Sequence, residues 1–160
     1  MPGGLSLAQA VRICEATVAT CTSRGFGPIT VVVMDPAGHV ISMQRMDNCA
    51  PTAYPKFAQA KAFTCVSLGV STRVFRDKYT AAKDPAKFCQ MLSMGDLTGG
   101  QMAPFPGGVV IKGAEDGDIV GAVGVSGASA DEDEYCALVG VQEAGLEGVV
   151  TEPIHHALKN

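Results

Sequence analysis

Between residues 105 and 137, two short apolar runs are bounded by glycines and joined through an acidic turn. Phe105-Pro106-Gly107-Gly108 leads into Val109-Val110-Ile111. Asp116-Gly117-Asp118 turns the chain, and Ile119-Val120-Gly121-Ala122-Val123-Gly124-Val125-Ser126-Gly127 returns it. This is the pattern of an antiparallel hairpin. Gly107-Gly108 ahead of a β-branched run marks a place where backbone takes unusual angles or something approaches it closely. Gly121, Gly124 and Gly127 recur every third residue, so they cannot share one face of a pleated strand. The acid-rich stretch Asp131-Glu132-Asp133-Glu134 then opens a helix at about Asp131, running to Ala144, with its acids at the favourable end of the dipole.

Upstream, Ser6 and Gln9 form a capping box for a helix to about Arg24, closed by Gly25. Leu7, Ala10, Val11, Cys14, Val18 and Cys21 form its apolar stripe. Ile29 to Met34 is continuously apolar and reads as a strand buried on both faces. Asp35-Pro36-Ala37-Gly38 turns the chain into a second strand, His39 to Met46. Pro55 suits a first helical position, and Lys56 to Leu68 follows as a helix ending at Gly69. Thr72 is expected to cap a helix through Ala82, and Asp84-Pro85 to start another through Met94. Gly95 to Gly100 reads as a loop, Gln101 to Phe105 as a short edge strand, and residues 145 to 160 as a tail without pattern. Short hairpin connections imply an α+β fold, with a mainly antiparallel sheet of about five strands and helices against it.

A chain of 160 residues with net charge −4 and no basic run is not expected to bind nucleic acid. Its longest apolar stretches are too short to span a bilayer, and Met1-Pro2-Gly3-Gly4 shows no signal-peptide pattern. The six cysteines form no zinc spacing, and Cys14 and Cys21 lie about 10 Å apart along a helix, too far to bridge. They read as reduced, mostly buried thiols of a cytoplasmic protein, with Cys49 the exposed one. His39 reads as solvated, the methionines as core filler, and Asp131 to Glu134 as a solvated helix start; no metal site is expected. Arg45 and Lys61 each interrupt an apolar element. Each is either a snorkelling surface group or a cation for a carboxylate in a pocket.

Taken together, Val33-Met34-Asp35-Pro36-Ala37-Gly38-His39, Arg45-Met46-Asp47, Lys61-Ala62-Phe63-Thr64, Pro106-Gly107-Gly108-Val109 and Gly121 to Gly127 followed by Asp133-Glu134 resemble the GlcG/HbpS family. That family also includes the C-terminal domain of PduO-type proteins. The resemblance covers residues 5 to about 145, and one such domain is expected over 1–160. It implies a profilin-like three-layer α/β/α fold around a five-stranded antiparallel sheet, and assembly into dimers or larger homo-oligomers. It also implies haem binding or haem handling. The pocket is then expected from Arg45 and Met46, from Lys61 and Thr64, and from Phe105, Gly107, Gly108 and Val109. Arg45 or Lys61 would pair with propionates, and His155 or His156 is the candidate iron ligand. Two alternatives stand beside it: an enzyme or carrier for a small organic acid anchored by Lys61, and a ligand-free oligomeric scaffold.

Overall fold

The computed structural model describes residues 4–113 and 117–149. The chain begins with α1 (Leu7–Arg24), and the hairpin β1 (Thr30–Met34) and β2 (Val40–Arg45) follows. Three helices come next: α2 (Tyr54–Leu68), α3 (Thr72–Thr80) and α4 (Pro85–Leu97). β3 (Gly108–Lys112), β4 (Ile119–Ser126), α5 (Ala130–Glu143) and β5 (Glu147–Val149) complete the order. The five strands form one antiparallel sheet in the order β2-β1-β4-β3-β5. Pairing of β1 with β4 joins the two hairpins, so both central strands are covered on each side.

Every residue of β1 is buried. Val31 and Val33 face α1 and α5, packing with Ile13, Cys136, Ala137 and Val141. Val32 and Met34 face the other way, onto Ala58 and Ala62 of α2. The molecule is therefore an α/β/α sandwich built on a five-stranded antiparallel sheet. Gly124 shows why the glycine spacing matters. A Cβ there would lie 2.6 Å from the Ala62 nitrogen and would overlap the Ala58 carbonyl, so only glycine lets the α2 backbone rest on β4.

Several local expectations are corrected. The buried side of α1 is Ala10, Ile13, Cys14, Thr17 and Cys21, whereas Leu7 is exposed. Ser71, not Thr72, caps α3, leaving the Thr72 hydroxyl for another task. α4 continues through the expected loop to Leu97, since Gly95 is tolerated in a helix that buries only Met91. Residues 101–105 form no strand. The sheet's far edge is instead β5, a three-residue strand inside the stretch read as patternless. All six cysteines are free; Cys49 is buried against the Thr30 hydroxyl, 3.3 Å away, and Cys89 on α4 is the exposed thiol. Among the described residues no helix is long and apolar enough to cross a membrane.

Candidate functional site

The chemistry-bearing residues gather at one end of the sheet, where β4 ends, β3 begins and α5 starts. Lys61, in the middle of α2, is only 1% exposed. Its ammonium donates to the Val125 carbonyl at 2.7 Å and to Asp133 Oδ2 at 2.9 Å, and it sits 5.0 Å from the centre of the Phe105 ring. Asp133 Oδ1 accepts from the Ala128 amide at 3.0 Å. Lys61 and Asp133 belong to helices on opposite faces of the sheet, and the contact passes beside Gly107. A Cβ at Gly107 would lie 2.6 Å from Lys61 Nζ and 3.0 Å from the Asp133 Cβ, at a φ of +122°. Glycine here is a steric condition for the ion pair.

Burial disfavours both charges. It holds the Lys61 ammonium below its ordinary pKa against the opposing pull of Asp133. It pushes the Asp133 carboxyl up to about 6, with Lys61 and the Ala128 amide restraining the rise.

A second ionic contact lies alongside. Arg73 of α3 donates from Nε to both oxygens of the fully buried Glu134, at 3.0 and 3.1 Å, and a terminal nitrogen bonds Asp131. Burial raises the Glu134 pKa, opposed by Arg73. The acidic stretch is thus not a solvated helix start. Ser129 caps α5 in a capping box with Glu132, and Asp133 and Glu134 turn inward. A buried lysine requires a buried acid. That requirement, applied to Lys61, would have pointed to Asp133; the run of four acids masked it.

The expected pocket residues fall into two groups. Lys61, Thr64, Phe105, Gly107 and Gly108 are neighbours. Thr64 Oγ1 accepts from the Ala103 amide at 2.9 Å, Thr72 Oγ1 accepts from the Gly108 amide at 2.9 Å, and the Gly107 carbonyl accepts from Val125. Val109 is one step further along β3, in the core against α1 and α5. Arg45 and Met46 lie two strands away at the same sheet end: Arg45 pairs with Thr30, and Thr30 with Ser126. Arg45 is exposed, its guanidinium donating to the Cys49 carbonyl at 2.8 Å. Met46 turns into the core, where its sulfur accepts from the Ile29 amide. From the first group an aromatic strip runs outward: Phe105 to Phe57, 5.9 Å between ring centres, and Phe57 to Tyr54, 6.2 Å. Phe57 is 41% exposed. His39 is solvated, with Nδ1 3.5 Å from Asp35. His155 and His156 lie outside the described residues.

The fold is shared with known proteins. The profile of the family described as haem degrading protein HbpS-like matches residues 5–142, and the chain belongs to that family. Its fold is similar to that of HbpS, with a TM-score of 0.72 and 26% identity over 89% of this chain and 91% of that one. It is also similar to a PduOC:haem complex, with a TM-score of 0.74 and 22% identity over 89% of this chain and 96% of that one. The protein ORFY of Klebsiella pneumoniae gives a TM-score of 0.75 at 22% identity, over 88% and 90%. No curated protein matches the sequence.

Proposed function

We propose that this protein binds haem and handles it, without a committed catalytic step of its own. The observation that carries this reading is membership of the HbpS-like family over residues 5–142. The sheet end supports it with two features a haem face needs. Phe57, backed by Tyr54 and Phe105, offers exposed aromatic surface for a flat macrocycle. Arg45 offers an exposed guanidinium for a propionate, a charge-assisted contact. Lys61 serves from below. Paired with Asp133, it positions Phe105 and the Gly107-Gly108 segment rather than touching the ligand, while Thr64, Met46 and Val109 hold the surrounding backbone. His155 or His156 is the proposed iron ligand. When bound, haem supplies the iron chemistry; this chain supplies the surface, the charge and the ligand.

The test is a haemin titration followed by absorbance. A saturable Soret shift is expected, altered by His155→Ala with His156→Ala. A response that rises without saturation contradicts the proposal.

Assembly of copies is part of the same reading. α4 packs against α3 and buries only Met91, leaving Phe88 and Leu92, one turn apart on the same side of the helix, exposed. Such a face favours covering by another subunit.

A further inference from the structure

A separate cleft opens away from the sheet end, between α2 and the edge strand β2. Its volume is about 330 Å³, at the small end of the range for small-molecule sites. One wall is a single stripe of α2: Lys56, Gln59, Ala60 and Phe63 stand at i, i+3, i+4 and i+7. Met34 and Val40 of the β1–β2 hairpin form the opposite wall, and Gly100 and Gln101 close one side. The room comes from small residues. A Cβ on Gly38 would lie 3.3 Å from the Phe63 ring, and Ala60 leaves the middle of the helix wall open.

The lining divides by chemistry. Met34, Val40 and Phe63 are apolar, while Lys56, Gln59 and Gln101 are polar. Among the described residues, none of these three polar side chains has a hydrogen-bond or ion-pair partner. Among the described residues no carboxylate lines the cleft, although the chain carries a net charge of −4. Lys56 also stands in the first turn of α2, which has no acid and no side-chain cap, where a cation opposes the helix dipole. The sequence has placed an unpaired cation where the helix does not favour one, beside an apolar hollow.

We infer that this cleft is a binding site for a small amphipathic monocarboxylate, its compact apolar body against Met34, Val40 and Phe63 and its carboxylate on Lys56. Gln59 and Gln101 donate to the same head group. Lys61 cannot take that part, because its ammonium is committed to Asp133 and Val125. The site is independent of haem.

The experiment uses the haem-free 160-residue protein and two matched pairs of probes: benzoate with benzamide, and 4-methylpentanoate with its amide. Binding is read by calorimetry and by amide chemical shifts of residues 34–40 and 56–63. Saturable binding of a carboxylate, tighter than its amide, is expected. Lys56→Gln should weaken the carboxylate about tenfold, the size of one hydrogen bond to a charged group, and leave the amide unchanged. Ala60→Leu, which fills the hollow, should remove binding of both. The inference is overturned if no carboxylate binds saturably, if acid and amide bind alike, or if either variant binds as the wild type does. The protein carries no haem in these titrations, so none of these results bears on the haem reading.

Discussion

Lys61 Nζ and Asp133 Oδ2 meet at 2.9 Å and join helices that lie on opposite faces of the sheet. The pair passes close beside Gly107, just before β3 begins, where a Cβ would lie 2.6 Å from the Lys61 nitrogen. It ties α2 to α5 and fixes the loop that carries Phe105. Taking both charges from water is costly, and their attraction offsets that only while both are present.

Removing one partner should therefore do more harm than removing both. Lys61→Met leaves the carboxyl buried without its cation, and about 3–5 kcal/mol of stability should be lost. Lys61→Met combined with Asp133→Leu should be more stable than Lys61→Met alone. Urea unfolding midpoints measure this, and simple additivity of the two single losses would contradict it.

The same pair predicts a pH dependence. The native Asp133 carboxyl keeps its proton up to about pH 6, whereas the ordinary value is 3.8. Between these values the folded state binds more protons than the unfolded one. The contribution of Asp133 to stability therefore falls as pH rises from about 4 to about 6 and is flat above. Relative to Asp133→Asn, wild type should gain stability on acidification from pH 6 to pH 4. A gain in the opposite direction would show that the native carboxyl is the stronger acid.

Two glycines should respond with opposite signs. Gly124→Ala drives a methyl into the α2 backbone at Ala58 and Ala62 and should cost about 3 kcal/mol or more. Gly95→Ala, within α4 and with nothing near its Cβ position, should stabilise by up to about 1 kcal/mol. Thermal unfolding of the two variants decides this.

The outward face of α4 should be an association surface. Light scattering should give a mass above that of one chain, and Phe88→Asp with Leu92→Asp should lower it. A single-chain mass for wild type would contradict this.

The elements with strict periodicity or caps were legible in the sequence. Ser6 with Gln9, the β-branched run of β1 and the glycine-bounded hairpin each specify local structure through neighbours in the chain. What escaped depends on distant partners. β5 has three residues and exists because β3 offers an open edge. Cys49 is buried by Thr30, nineteen residues earlier. Asp133 and Glu134 read as solvated because three or four acids in a row usually are; Lys61 and Arg73, from other helices, bring these two inside. Lys61 stands out in the sequence as a charge within an apolar element, but its partner lies 72 residues away and outside any local pattern.

The haem reading is tested most directly by titrating haemin into wild type and into Arg45→Ala and Phe57→Ser, following the Soret band. The account predicts saturable binding by wild type, and binding weakened about tenfold by Arg45→Ala through loss of a charged contact. Phe57→Ser should weaken it as well. A linear, non-saturating response from wild type would contradict haem binding itself. Saturation with equal affinity in all three proteins would contradict its assignment to this end of the sheet.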